Sequence, residues 1–129
     1  PSEKLSKKEL KERYGISSKW YSAAIAEVPM ISANADTLVI VKAKNAASKK
    51  KIRSALTKYR EELIQDTCQY PMNQLKIQAS KVYVKGNYVC FIMLGTISNK
   101  QEEQSQDKVI AAYKKQNEKA VKAINKLYK

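Results

Sequence analysis

Two periodicities divide this chain. Residues 88–96 read YVCFIMLGT, which on an extended backbone puts Tyr88, Cys90, Ile92 and Leu94 on one side and Val89, Phe91 and Met93 on the other. Both sides are apolar, so the pattern predicts a central strand that must be covered on both faces. Residues 81–85 form a second β-rich run, and Gly86-Asn87 between the two can adopt the positive φ angles of a tight hairpin turn. A third strand is predicted over 37–44 (TLVIVKAK), β-branched and apolar until Lys42 and Lys44 reach solvent, and it is expected on the other side of the central strand.

Helical spacing takes over elsewhere. Ser6 and Glu9 make a capping box that starts a helix over 7–14, with Gly15 placed to end it. Trp20, Tyr21, Ala24 and Val28 recur at helical spacing, which predicts a second helix from Ser17 or Ser18 to Glu27, stopped by Pro29. Asn45 caps a long helix over 47–69 whose buried stripe is Ile52, Leu56, Tyr59, Leu63 and Thr67. Pro71 sets its latest end, and 72–80 reads as a connection anchored by Leu75 and Ile77. Polar residues 98–107 read as a loop or linker into a last helix, marked by Ile110, Tyr113, Asn117, Ala120 or Val121, Ile124 and Tyr128 within 104–129.

The expected fold class is therefore α+β: a β-α-β-β core with a three-stranded antiparallel sheet, an N-terminal helical hairpin and a C-terminal helix packed on the sheet. At 129 residues the chain suits a single domain spanning 1–129. No apolar run is long enough to span a bilayer as a helix.

Charge changes this picture more than composition does. Lys and Arg number 25 against 12 Asp and Glu, a formal net charge of +13, and nearly all of it is lysine, since Arg13, Arg53 and Arg60 are the only arginines. Lysine is a hydrated point charge suited to diffuse attraction, whereas readers of base sequence lean on the arginine fork. The densest run carries Lys42, Lys44, Lys49, Lys50, Lys51, Arg53, Lys58 and Arg60 with no acidic residue between them. It is the candidate binding surface for an anionic partner, set against the plainer reading of a solvated helix face. Lys49, Lys50 and Lys51 stand near a helix N-terminus, where the dipole disfavours cations by a few tenths of a kcal/mol each, roughly.

Candidate chemistry is sparse. The chain has no histidine, which removes the commonest general base and most transition-metal sites. Glu61-Glu62 and Glu102-Glu103 are sequence neighbours pointing to different sides of a helix, unlike facing catalytic carboxylates. Ser48-Lys51 and Ser105-Lys108 have the S-x-x-K spacing without its companion motifs. With three glycines and no phosphate-loop pattern, no nucleotide, cofactor or metal site is expected, and the chain reads as non-enzymatic. Cys68 and Cys90 could form one disulfide in an oxidising compartment or sit as small buried hydrophobes in a reducing one.

Tyr14-Gly15-Ile16, Val28-Pro29-Met30, Ala35-Asp36-Thr37 and the strand leading to Lys42 and Lys44, followed by Lys85-Gly86-Asn87-Tyr88-Val89, carry a resemblance in order and spacing. Over a core of about residues 14–96 the chain resembles an uncharacterised domain-of-unknown-function family of small membrane-anchored lipoproteins in Gram-positive bacteria. The resemblance implies an export signal and a lipid-modified cysteine upstream of Pro1, with the domain displayed outside the cytoplasmic membrane. It implies no catalytic residues. In that setting the basic run would meet anionic lipid headgroups or cell-wall polymer. The alternative is a cytoplasmic nucleic-acid-binding protein, disfavoured by the scarcity of arginine and the lack of a recognition motif.

Overall fold

The computed structural model describes residues 2–29, 36–66 and 71–128. In chain order the elements are β1 (Ser2–Lys4), α1 (Lys7–Tyr14), β2 (Tyr21–Pro29), β3 (Thr37–Ala43), α2 (Ala46–Gln65), α3 (Pro71–Ala79), β4 (Lys81–Lys85), β5 (Tyr88–Met93), α4 (Asn99–Glu102) and α5 (Gln106–Leu127). The class is α+β, as the sequence predicts.

The central strand behaves as its two apolar faces require. β5 lies between β3 and β4, antiparallel to both, in a sheet of order β1-β2-β3-β5-β4. Val89, Phe91 and Met93 join Val39 and Val41 of β3 beneath α1 and α2, where Leu10, Tyr14, Ile52 and Leu56 complete the larger core. Cys90 and Ile92 turn the other way with Ile40 and meet Val121 and Ile124 of α5. A third cluster, Ala79, Val109 and Tyr113 with Met72 and Leu75, seats α3 against α5. Complete burial of a Val, Ile or Phe stabilises by about 1.5–3 kcal/mol, so the fully enclosed Val39, Val41, Val89, Phe91 and Ile92 form the energetic centre.

Local signals hold where they concern chain ends. Ser6 accepts from the Glu9 N–H while Glu9 reaches back to the Ser6 N–H, and Gly15 closes α1 in the left-handed region at φ 70°. Asn45 Oδ1 accepts from the Ser48 N–H at 2.8 Å to start α2. Gly86 takes φ 58° in the β4–β5 turn.

Three expectations are corrected. The sheet has five strands, not three, because residues 21–29 are a strand rather than the second helix of a hairpin. A bulge causes the misreading: the register shifts between Tyr21 and Ala23, so Tyr21 faces Ala43 while Ala24 faces Val41 and Ala26 faces Val39. The inserted residue sets Tyr21 and Ala24 three apart on one face, a helical interval, and the alanines add helix propensity that sheet pairing overrides. Only Ser18–Trp20 retains a single 3-10 turn. Second, 72–80 is not a bare connection: Pro71 opens α3 at a first-turn position, where its missing N–H costs nothing, and Ile77 and half-buried Leu75 are anchors as expected. Third, the polar linker contains α4, capped by Ser98 and Gln101. The long helix also ends earlier than the expected 69: α2 stops at Gln65 and Asp66 is extended as its C-cap, while residues 67–69 lie outside the described residues.

Polar ties fix α5 as firmly as its apolar stripe. Asn117, 1 % exposed, accepts from the Leu94 N–H at 2.9 Å and donates to the Ala79 carbonyl at 3.0 Å, joining the ends of β5 and α3. Tyr83 donates its hydroxyl to Asn125 Oδ1 at 2.5 Å, and Gln116 is paired to both backbone groups of Thr96. Replacing Asn117 with Leu leaves two buried backbone groups without partners, each worth about 1–3 kcal/mol. Urea unfolding of Asn117→Leu should therefore show stability lower by roughly 2–4 kcal/mol at an unchanged slope.

Candidate functional site

α2 sits on the sheet through Ile52, Leu56 and half-buried Tyr59 and Leu63, and its helical period distributes the basic run over what remains. Lys51, Ser54, Ala55 and Lys58 recur at three-four spacing along the edge of α2 that faces Trp20. Lys49, Arg53 and Arg60 follow the opposite edge. The sequence-predicted surface is thus divided rather than gathered.

Its members have different duties. Arg60 is structural: Nε donates to the Ser80 carbonyl at 3.0 Å and to Ser80 Oγ at 2.9 Å, and Nη2 donates to the Gln78 carbonyl at 2.9 Å, pinning α2 to the α3–β4 junction. Lys42 is exposed on the α5 side of the sheet, opposite α2, with Nζ 5.9 Å from the Tyr88 ring, which itself packs on Tyr128. Exposed Lys44 donates its backbone N–H to the Trp20 carbonyl. Lys50, Lys51, Arg53 and Lys58 are exposed and Lys49 half-buried.

The part of this surface with a built shape centres on Trp20, the chain's one tryptophan. Ser17 opens the 3-10 turn, the Trp20 N–H donates to the Ser17 carbonyl at 3.1 Å, and Lys44 clips the Trp20 carbonyl at 3.0 Å to the end of β3. The indole is thereby held half-buried against the core. Trp20, Lys50, Lys51, Ser54, Ala55 and Lys58 line an open groove of about 400 Å³ with an apolar floor. Lys51 Nζ lies 6.0 Å from the indole centroid and Lys11 Nζ, from α1, 5.8 Å. Contacts of this kind attract by about 0.5–1 kcal/mol at exposed sites. Ion pairs among the described residues include Lys8–Glu12, Lys81–Glu118 and Lys76–Asp36, and no described carboxylate is in direct contact with the groove lysines, although Glu12 and Glu62 line the adjoining hollow on the far side of Lys58. Trp20 and Lys11 were not among the sequence candidates; the lone tryptophan inside a Lys-Trp pair was the only signal available.

Next to it, Tyr14 and Tyr59 meet edge-on at 4.6 Å and Tyr59 meets Phe91 at 5.4 Å, an aromatic chain from α1 through α2 to the sheet. Burial pushes both phenols above their ordinary range, and in Tyr14 the neighbouring Tyr59 adds to it. Cys90 is a free buried thiol pushed up to about 12 by burial, which keeps it protonated; Cys68 lies outside the described residues. These groups are held neutral, the reverse of an activated nucleophile. A buried charge does exist at Lys76, 4 % exposed, which pairs with Asp36, donates to the Gly95 carbonyl at 2.7 Å and lies 5.6 Å from the Tyr113 ring. It ties the start of β3 to α3 and the end of β5. Among the described residues no cluster of His, Cys, Asp or Glu is placed to hold a metal ion, and no helix is long and apolar enough to cross a membrane.

With this geometry in place, comparison settles the family. The chain belongs to the DUF4358 family, a domain of unknown function whose model matches residues 1–94, from β1 through the end of β5. No curated protein and no solved structure matches the chain.

The division of the basic run can be measured. Arg60→Ala should lower stability by about 1.5–3 kcal/mol in denaturant unfolding, since hydrogen bonds from a charged donor are lost. Arg53→Ala and Lys50→Ala should stay within about 0.5 kcal/mol of the parent.

Proposed function

We propose that this chain is a non-catalytic binding module for a phosphate-bearing anionic surface, lipid headgroup or wall polymer, displayed outside the cytoplasmic membrane on a lipid anchor. The observation that carries the binding reading is the groove on α2: Lys50, Lys51 and Lys58 line one open hollow with Trp20, and no described carboxylate is in ion-pair contact with them. Surplus charge on a rigid helix attracts a polyanion over about a Debye length, near 10 Å at 0.1 M salt. Each lysine near an anionic surface contributes about 1 kcal/mol.

The location rests on the likeness of residues 14–96 to lipoprotein-borne domains.

Binding to anionic vesicles and to anionic wall polymer, followed by sedimentation, should be strong at low salt and nearly abolished at about 0.5 M. Replacing Lys50, Lys51 and Lys58 together with Glu should weaken it by about 100-fold or more. Binding that survives high salt, or that the triple variant retains, would sink the reading. For location, fractionation of the native host followed by intact-mass measurement should find a membrane-associated species heavier than the polypeptide by a lipid group. A soluble, unmodified cytoplasmic protein would overturn the anchor and point to nucleic acid as partner.

A further inference from the structure

An electrostatic face needs only lysines, yet the groove on α2 is built around an aromatic ring. Trp20 is fixed by its 3-10 turn, by the Lys44 clip and by the core behind it, and the helix opposite offers Ala55 and Ser54, side chains small enough to leave the space open. Lysines border this space at both ends: Lys51 and Lys58 lie two helical turns apart, about 10 Å at 1.5 Å per residue. Lys11, from α1, reaches the indole from outside the groove lining, with Nζ 5.8 Å from the ring centroid.

The composition of the groove distinguishes among anionic partners. Entry into a bilayer needs exposed apolar side chains, and the large exposed ones among the described residues are Ile25, Ile64 and Leu127, none of which lines the groove. Strand-tracking nucleic-acid sites stack successive bases on several aromatic rings, whereas this groove offers one ring and no arginine. One ring flanked by cations matches a chain in which a single ring-bearing unit stands between phosphates.

We infer that the Trp20 groove selects a sugar-bearing phosphodiester polymer: Lys51 and Lys11, whose ammonium groups lie over the indole in the free chain, swing out to join Lys58 in pairing with phosphates, and the ring face they uncover stacks on the apolar C–H face of one sugar unit. This rests on the anionic-binding reading above and adds the class of ligand to it. Trp20 is the specificity-determining residue, and the lysines supply affinity that any polyanion shares.

Because Trp20 is the one tryptophan, its emission reports on this groove alone. At about 50 mM salt, the intact chain is titrated by fluorescence and calorimetry against four probes. They are a sugar-substituted poly(glycerol phosphate), the same polymer unsubstituted, oligo(dT), and phosphatidylglycerol vesicles. The substituted polymer should shift the emission saturably and bind about tenfold more tightly than the bare one, a margin in the range of an aromatic stacking contact. Trp20→Leu should erase that margin while keeping the salt-sensitive binding common to both polymers. Trp20→Phe, which keeps an aromatic face and much of the packing, should retain most of it. Thermal unfolding followed by circular dichroism establishes that each variant is folded.

Equal affinity for the two polymers, or a margin that survives Trp20→Leu in a folded protein, would overturn the sugar-stacking inference and leave the anionic reading standing. Tightest binding to oligo(dT), or a blue-shifted response strongest with vesicles, would overturn it in favour of a nucleic acid or a bilayer. Absence of salt-sensitive binding to all four probes would overturn both readings together.

Discussion

A strand with no polar side must be covered twice, and β5 is such a strand. Val89 and Phe91 on one face and Cys90 and Ile92 on the other are all fully enclosed, so helices are required on both sides of the sheet. α2 with α1 covers one side and α5 the other, while α3 bridges between α2 and α5. The antiparallel pairing of β5 with both β3 and β4 satisfies its backbone groups, and from Val89 to Met93 both faces of the strand are buried.

The candidate site is a by-product of the same demand. Covering the sheet consumes one stripe of α2, leaving its two flanks free, and they are used differently. One flank sends Arg60 into hydrogen bonds that hold the α3–β4 junction, and the other sets Lys51 and Lys58 beside Trp20. Trp20 stands there because β2 begins at the rim of the sheet, next to the N-terminal half of α2, and Lys44 fastens that corner. A rigid aromatic among unpaired cations is therefore a property of the corner where β2, β3 and α2 meet. No one segment supplies it.

Side-chain ties to the backbone gather where β5 ends. Buried Asn117 and Lys76 and half-buried Gln116 each reach backbone groups there, where the chain leaves the sheet and the ladder no longer supplies partners. An apolar residue in the place of Asn117 would pack, but would leave Leu94 N–H and Ala79 carbonyl unpaired. Such ties specify where along the sheet α5 stops sliding, which the apolar stripe of Val109, Tyr113, Val121 and Ile124 alone would leave less sharply defined.

By itself the sequence determined what depends on neighbours a few residues away: the capping box at Ser6, the Asn45 cap, the Gly86-Asn87 turn, the two-faced apolarity of β5, and the stripes of α2 and α5. It also determined the surplus of lysine. Tertiary structure decided whatever required a partner distant in the chain. Whether residues 21–29 became helix or strand depended on pairing with β3, because the bulge makes local spacing ambiguous between the two periods. Whether a given basic residue was free or employed depended on what lay across from it: Arg60 meets Ser80, Lys76 meets Asp36, and Lys51 meets Trp20. Charge is written residue by residue, but a binding site is a coincidence in space, and the contacts that create it join residues that the chain keeps far apart.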